Sequence, residues 1–234
     1  MKFVICDDEK IFLKKLSEKI KFYLAERGVD AELKICSRGK DLLGFSEKIK
    51  IDAFFLDIDM PEINGFQIAK NIRTLYPNCI IVFCSNHNEL VYESFEYEPF
   101  WFLCKSDYER RLNSVLDKVL EKIKEYNQEF LVKFKEKITK VKYHEISYVE
   151  VEKHRIQLHL EKEILEYRGN LSDIEKQFLE KGFIKINSGC IVNLESIFRI
   201  QNNELILKNG EILVISRSNK KNVKDTFFGY LGKE

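Results

Sequence analysis

The chain has 234 residues, of which 39 are lysine or arginine and 38 are aspartate or glutamate, so its net charge is +1. Its 44% hydrophobic content is typical of a globular protein, and its length is sufficient for two domains with separate cores. No apolar run approaches the length of a membrane span, and the six cysteines lack the paired spacing of a metal or disulfide framework. We therefore expect a cytoplasmic protein with two domains and reduced thiols.

Short apolar runs alternate with segments of helical periodicity through the first half of the chain. The predicted strands cover residues 3–6, 31–36, 53–56, 80–84 and 100–104. The first predicted helix follows the first strand and ends near Gly28. Further helices are predicted over residues 40–48, 66–76 (closed by Pro77), 89–96 and 108–126. The second strand alternates apolar and charged residues, which is typical of a sheet edge. Five strand–helix repeats predict an α/β fold with a doubly wound five-stranded parallel sheet.

From about residue 129 the pattern changes to an alternation of period two, which is typical of strands. Apolar and polar residues alternate over 130–134, 146–151, 156–160 and 205–215. Within the last run, Asn209 and Gly210 form the strongest short-range hairpin signal in the chain. One helix is predicted over 171–181, ending at Gly182. The second half is therefore predicted to be mainly β.

Polar residues stand where four of the apolar strands of the first half end. Asp7 and Asp8 follow the first strand, Asp57 follows the third, and Ser85 and Lys105 follow the fourth and fifth. Because the carboxyl ends of parallel strands share one edge of the sheet, we expect these side chains to converge. Three neighbouring carboxylates need a cation, and Mg²⁺ prefers oxygen ligands. With a hydroxyl and a lysine beside them, they predict a site that accepts a phosphoryl group on Asp57.

At these residues, and at the Asp-x-x-Met-Pro-x-x-x-Gly run that begins with Asp57, the first half resembles the receiver domain of two-component response regulators. The resemblance covers residues 1–125. It implies a flavodoxin-like fold and a sensor histidine kinase that donates its phosphoryl group to Asp57. It also implies that Ser85 and Lys105 bind the phosphoryl group and that Phe102 is the switch aromatic. The implied Mg²⁺ ligands are Asp7, Asp8, Asp57 and the backbone carbonyl of Asp59.

Two positions depart from the receiver pattern. Ser106 replaces the proline that usually follows the lysine in a cis peptide bond, and a cis bond before another residue costs about 3–4 kcal/mol. Asn86 stands where a small residue usually follows the hydroxyl. We therefore expect a differently built loop after the fifth strand, and slow or weak phosphorylation.

The second half carries a Phe-x₇-Ile-Val-Asn core that begins at Phe183, and a Ser-Arg pair at Ser216 after the predicted hairpin. In these features it resembles the LytTR-type DNA-binding domain of response regulators of the LytR/AgrA kind, over residues 130–234. The resemblance implies a β module whose loops, rather than a recognition helix, enter successive major grooves of DNA.

The same resemblance implies which residues contact DNA. The residues implied to read bases are His154, Asn187, Ser188 and Arg217. The candidate phosphate contacts are Lys185, Arg199, Lys220, Lys221 and Lys224. The planar guanidinium of Arg217 can bind O6 and N7 of guanine together. The family often has a His-Arg pair at positions 187 and 188, so we expect an altered sequence preference and a lower affinity.

The two halves together predict a response regulator transcription factor that is not an enzyme. Phosphorylation of Asp57 would control formation of a homodimer and binding to double-stranded promoter DNA. Two alternatives stay open. One is a DNA-binding regulator that works without phosphorylation, favoured by Ser106 and Asn86, and the other is a regulator that docks a protein instead of DNA. An enzymatic output has the least support, because the second half has no nucleophile–base pair, metal-ligand spacing or Gly-rich phosphate loop.

Overall fold

The computed structural model describes residues 1–43, 50–76, 78–134 and 137–232, with the backbone alone for residues 133, 134 and 137. The chain divides into two compact units, Met1–Ile123 and Lys124–Glu234. Each unit has its own buried core. The first is an α/β unit with a parallel sheet and the second is rich in β-strands, which confirms the predicted fold class.

Within the described residues, the first unit contains a five-stranded parallel sheet. Its strands are β1 (Lys2–Cys6), β2 (Glu32–Cys36), β3 (Ala53–Asp57), β4 (Ile80–Ser85) and β5 (Trp101–Cys104). Their order is β2-β1-β3-β4-β5, so the chain adds β2 on one side of β1 and the later strands on the other side. The central strands β3 and β4 are buried along their whole length, whereas β2 lies at the edge, as its charged residues predicted.

Helices cover both faces of this sheet. They are α1 (Lys10–Glu26), α2 (Gly65–Leu75), the short α3 (Val91–Ser94) and α4 (Tyr108–Tyr126). Leu16 of α1 and Leu116 of α4 pack with Phe55 on one face. On the other face, Ile68 of α2 packs with Phe54. Because helices bury both faces, the central strands are apolar along their length rather than alternating.

Local signals in the sequence set several helix ends. Gly28 follows α1 with a positive φ of 63°, as expected of a helix stop. Asn64 precedes α2, and its side-chain oxygen accepts a hydrogen bond of 2.9 Å from the Gln67 amide. The helix predicted over 40–48 appears as a 3₁₀ turn at Gly39–Leu42, and the rest of that prediction from residue 44 lies outside the described residues, as does Pro77.

The segment predicted as one helix over 89–96 is irregular. It consists of α3 between 3₁₀ turns at Asn88–Leu90 and Phe95–Tyr97. Tyr97 stacks on Phe66 of α2 with ring centroids 4.7 Å apart. This stacking, which sequence periodicity does not encode, accompanies the interruption of the helix.

The second unit is built from antiparallel strands. Its strands are β6 (Glu129–Phe134), β7 (Lys137–Lys142), β8 (Ile146–Glu152), β9 (Arg155–Leu160), β10 (Ile164–Arg168), β11 (Phe183–Asn187), β12 (Cys190–Asn193), β13 (Ile197–Gln201), β14 (Glu204–Leu207) and β15 (Ile212–Val214). In the described residues these form sheets of order β10-β9-β8-β12-β11, β13-β14-β15 and β6-β7. The helices are α5 (Leu171–Leu179) and α6 (Lys220–Leu231).

The larger sheet of the second unit has a core on each face. Successive side chains of a strand point to opposite faces, so β8 contributes Val149 to one core and Tyr148 to the other. Phe178 of α5 packs in the first core and Val223 of α6 in the second. The turn between β14 and β15 contains Gly210 with a φ of 88°, as the hairpin signal predicted.

The cysteines are all free thiols, and only Cys104 is partly exposed. Burial raises the pKa of Cys79 to about 11 and the pKa of Cys6 and Cys190 to about 12. Burial also raises the pKa of Cys36 and Cys84. These thiols therefore act as small apolar core residues. Among the described residues, there is no helix with the length and apolar character needed to cross a membrane.

Candidate functional site

The residues at the carboxyl ends of four strands meet at one edge of the parallel sheet. Asp57 ends β3 and pairs in register with Cys84, and Ser85 ends β4 and pairs with Cys104. Asp7 and Asp8 follow β1, and one carboxylate oxygen from each lies within 4.8 Å of the other and of an Asp57 oxygen. Asp7 and Asp57 are buried, whereas Asp8 is exposed. The three predicted carboxylates therefore converge with one side open.

Lys105 joins the two buried carboxylates. Its Nζ lies 2.7 Å from Oδ2 of Asp7 and 2.8 Å from Oδ2 of Asp57. The exposed fractions of the three side chains are 7% for Lys105, 2% for Asp7 and 4% for Asp57. The same nitrogen lies 4.8 Å from the centroid of the Phe12 ring and 3.9 Å from the Glu9 carboxylate, which the sequence analysis did not single out. The lysine is therefore held in one position.

Burial governs the protonation of this group. It raises the pKa of Asp7 to about 6, an effect that the hydrogen bond from Lys105 opposes and the charge of Asp57 reinforces. Burial also raises the pKa of Asp57, against the hydrogen bond and charge of Lys105. Burial alone would lower the pKa of Lys105, but its hydrogen bonds to both carboxylates outweigh burial and raise it. One ammonium therefore faces three carboxylates, and the site keeps a negative excess that suits a cation.

Close packing at Gly65 explains why the Asp-x-x-Met-Pro-x-x-x-Gly run ends in glycine. A Cβ at this position would lie 2.1 Å from the carbonyl oxygen of Asp57 and 2.9 Å from the Cα of Ile58. The Gly65 amide also donates a 2.9 Å hydrogen bond to the Ile58 carbonyl. The start of α2 is therefore packed directly against the backbone of Asp57, and only glycine fits there.

Ser85 lies beside the carboxylates but its hydroxyl contacts another aspartate. Its Oγ is 3.4 Å from Oδ2 of Asp59 and accepts a 3.0 Å hydrogen bond from the His87 amide. The His87 ring lies 3.5 Å from the same Asp59 oxygen. His87 was missed by the sequence analysis, and its only signal was its position two residues after Ser85. The backbone amide of Asp59 donates a 3.3 Å hydrogen bond to Asp57.

The remaining predicted residues of the first unit lie around this edge. Phe102 is half-buried against the core that contains Phe66 and Phe83. Asn86 is exposed. Every peptide bond of the described residues is trans, including the one before Ser106, whose hydroxyl lies 3.1 Å from the Cys104 thiol. The loop after β5 is thus built without the cis bond usual in receivers.

In the second unit, hydrogen bonds bring together three connections that we call the loop rim: the β8–β9 turn (residues 153–154), the β11–β12 turn (188–189) and the β15–α6 loop (216–219). The Val151 amide donates to the Gly189 carbonyl (2.8 Å), and the Ser216 amide donates to the Ile186 carbonyl (2.9 Å). The rim therefore contains the predicted base-reading residues His154, Ser188 and Arg217, with Asn187 directly before it.

These base-reading candidates differ in how their side chains are used. Ser188 and Arg217 are exposed. His154 has a positive φ of 63°, and its Nδ1 lies 2.7 Å from the Asn170 side chain. Asn187 is committed internally, because its Oδ1 accepts from the Gly189 amide (2.9 Å) and its Nδ2 donates to the Val214 carbonyl (3.2 Å). Asn187 therefore joins the β11–β12 turn to the end of β15.

The predicted phosphate contacts lie on three elements of the second unit. Lys185 lies on β11 with its Nζ 2.6 Å from the Glu175 carboxylate. Arg199 is exposed on β13. Lys220, Lys221 and Lys224 lie in the first turns of α6, directly after the β15–α6 loop. The α6 lysines are thus close to the rim in the fold, whereas the Lys185 ammonium is neutralised by an acidic neighbour.

Family models match both units. The response regulator receiver domain matches residues 3–117 and the LytTr DNA-binding domain matches residues 136–227. Accessory gene regulator protein A of Staphylococcus epidermidis is 27% identical over an alignment of 240 positions, which covers 95% of this chain and 100% of that protein. Sensory transduction protein LytT of Oceanobacillus iheyensis is 24% identical over 207 residues, which cover 84% of this chain and 82% of that one.

A solved structure resembles the first unit. The response regulatory domain of protein mrkE from Klebsiella pneumoniae is 31% identical, with a TM-score of 0.48, and the match covers 53% of this chain and 98% of that domain. A receiver domain joined to a DNA-binding domain defines the class of transcriptional response regulators. Within that class, this chain belongs to the LytTR-type transcriptional response regulators, the group that includes accessory gene regulator protein A and LytT.

Proposed function

We propose that Asp57 accepts a phosphoryl group from a sensor histidine kinase and that the phosphorylated chain binds promoter DNA as a homodimer. The observation that carries the proposal is the Lys105 ammonium, held within 2.8 Å of both Asp57 and Asp7. A buried carboxylate with a fixed cation beside it is suited to receive a phosphoryl group, because the lysine can neutralise the oxygens that arrive. A cytoplasmic location follows from this function, since kinase and DNA must both reach the chain.

The donor set of the site fits Mg²⁺. The carboxylates of Asp7, Asp8 and Asp57 are hard oxygen ligands, and the exposed position of Asp8 leaves a path from solvent. We assign these three carboxylates and the backbone carbonyl of Asp59 as the groups that would hold the ion. When bound, Mg²⁺ supplies positive charge for the phosphoryl oxygens. This assignment also accounts for the negative excess that Lys105 alone leaves.

The transfer step follows from the placement of the side chains. An Asp57 oxygen attacks the phosphorus atom of a phosphohistidine on the kinase, so a P–O bond forms while the P–N bond breaks. The electron pair of the P–N bond stays on the imidazole nitrogen, which takes a proton from water. Lys105 binds the transferred oxygens, and the Ser85 hydroxyl turns from Asp59 to donate to them. We propose that Phe102 then packs further inward and biases the receiver towards its active state.

The loop rim is the proposed DNA surface. We propose that His154, Ser188 and Arg217 lie against base edges, and that Asn187 joins them when DNA replaces its hydrogen bonds to Gly189 and Val214. The proposed phosphate contacts are Lys185, Arg199, Lys220, Lys221 and Lys224. Dimer formation on phosphorylation would place two rims on adjacent sites of one duplex, which multiplies the affinity without a new contact. No enzymatic output is proposed.

The phosphorylation proposal is tested by labelling the protein with a radioactive small phosphodonor in the presence and absence of Mg²⁺. We expect Mg²⁺-dependent labelling of the wild type and none of Asp57→Asn. The matched control is Asp52→Asn, which lies just before the opposite end of β3 and keeps the oxygen that accepts a 2.8 Å hydrogen bond from the Lys2 amide. Equal labelling of wild type and Asp57→Asn would show that Asp57 is not the acceptor.

The DNA proposal is tested by footprinting on genomic fragments with and without a phosphoryl mimic. Protection that requires the mimic supports the proposed switch, and equal protection without it supports a DNA-binding regulator that works without phosphorylation. The salt dependence separates DNA from protein docking. A complex with several phosphate contacts weakens steeply as salt rises, whereas a flat response would contradict DNA binding through this surface.

A further inference from the structure

The turn between β13 and β14 lies next to the loop rim and contains none of the proposed DNA contacts. Its tip is Asn202-Asn203, between Gln201 at the end of β13 and Glu204 at the start of β14. The Ile215 amide donates a 2.8 Å hydrogen bond to the Asn203 carbonyl. Because Ile215 directly precedes the β15–α6 loop, the turn extends the row of rim loops by one more connection.

The row of loops joins two sheets. Strands β8, β12 and β11 belong to the five-stranded sheet and β15 and β14 to the three-stranded one, and the hydrogen bond from the Ser216 amide to the Ile186 carbonyl connects them. Paired strands within each sheet lie about 4.8 Å apart. A major groove is about 12 Å wide and a helical turn of DNA is about 34 Å long. Because the turn lies one connection further along the row, we expect it to face base pairs beside those that the three loops of the rim face.

The two asparagine side chains are exposed. Within the described part of the chain, neither amide makes a hydrogen bond, whereas the Asn187 amide is used at both of its ends. The backbone of the turn accounts for an asparagine only at position 202. Asn202 has a positive φ of 56°, which asparagine tolerates well. Asn203 has no such backbone requirement.

The chemistry of the turn favours base edges over phosphates. The side chains of residues 201–203 are neutral amides, which offer donors and acceptors but no positive charge to attract phosphate. An asparagine amide can bind N6 and N7 of adenine together, with one donor and one acceptor. We propose that Asn202 and Asn203 form a fourth DNA-reading loop that selects an adenine-containing base pair in the major groove. This inference rests on the DNA binding proposed above.

The test is selection from a pool of duplexes with random sequence, using the full chain phosphorylated by a small phosphodonor. Asn202→Gly removes the amide and keeps the backbone conformation, and it is combined with Asn203→Ala. We expect the variant to lose about ten-fold discrimination at one or two base pairs of the selected site, with the rest of the site unchanged. The salt slope of binding should stay at the wild-type value, because no phosphate contact is lost.

The matched control is Asn209→Ala. Asn209 lies in the β14–β15 turn at the other end of the same small sheet, so its removal should leave the selected site unchanged. A variant at 202 and 203 that selects the wild-type site with wild-type discrimination would overturn the fourth loop while leaving the proposed DNA binding intact. If the wild type itself enriches no sequence, the proposed DNA binding fails and the fourth loop fails with it.

Discussion

Replacement of Gly65 by alanine tests whether α2 packs against the backbone of the proposed phosphoryl site. The new Cβ would lie 2.1 Å from the Asp57 carbonyl oxygen, whereas ordinary contacts of such an atom begin at 3.4 Å. The obstructing atoms belong to the backbone, so the end of β3 or the start of α2 must move by about 1 Å. We expect a loss of about 3 kcal/mol in the free energy of unfolding, the upper end of the usual range for overpacking.

Two measurements follow the Gly65→Ala variant. For a chain of this size, about 3 kcal/mol lowers the thermal midpoint by roughly 6–12 °C, which circular dichroism detects. The initial rate of Mg²⁺-dependent labelling at Asp57 should also fall, because the backbone that positions its carboxylate is displaced. The control is Gly28→Ala, which meets no atom within 4 Å but has a φ of 63°. It should cost about 1–2 kcal/mol through backbone strain alone and label at the wild-type rate.

Comparing the two variants separates the effect of site geometry on labelling from the effect of a lower stability. If Gly65→Ala unfolds at the wild-type temperature and labels at the wild-type rate, the close approach of α2 to Asp57 is wrong. If both variants lose labelling in proportion to their stability, the effect is a general loss of folded protein. Only a labelling defect specific to Gly65→Ala supports the described packing.

Two further predictions concern the second unit. Asn193→Ala should lower the free energy of unfolding by about 2 kcal/mol, because the buried amide donates to the Ile146 carbonyl (3.1 Å) and accepts from the Glu195 amide (3.0 Å). An unchanged denaturation midpoint in urea would contradict this role. Lys185→Ala should weaken DNA binding less than Arg217→Ala, since its ammonium lies 2.6 Å from Glu175 whereas the Arg217 side chain is exposed. Fluorescence anisotropy at fixed salt compares them, and equal losses would count against the pairing.

The convergence of Asp7, Asp57 and Lys105 followed from the sequence because two simple rules determine it. Apolar runs identify the strands, and parallel strands place their carboxyl ends at one edge. The contacts made by loops did not follow. Ser85 contacts Asp59, and His87 lies over the same carboxylate, because the path of the β4–α3 loop depends on packing that no periodicity records.

The second unit shows the same division between local and long-range information. The Asn209-Gly210 turn was predictable because both of its requirements, a positive φ and flanking alternation, are local. The pairing of Lys185 with Glu175 joins β11 to α5 and left no local signal. Helix α6 was missed although Val223, Phe227 and Tyr230 recur at helical spacing and pack in one core.

The burial of the thiols makes the chain suitable for site-specific attachment of a dye. Cysteines with a pKa near 11 or 12, such as Cys79 and Cys6, are almost entirely in the unreactive thiol form at neutral pH. Cys104 is the partly exposed one, and it directly precedes Lys105. A maleimide fluorophore would therefore attach to the unmodified sequence at the edge of the proposed phosphoryl site. Such a probe would report, in real time, the proposed transfer of a phosphoryl group to Asp57.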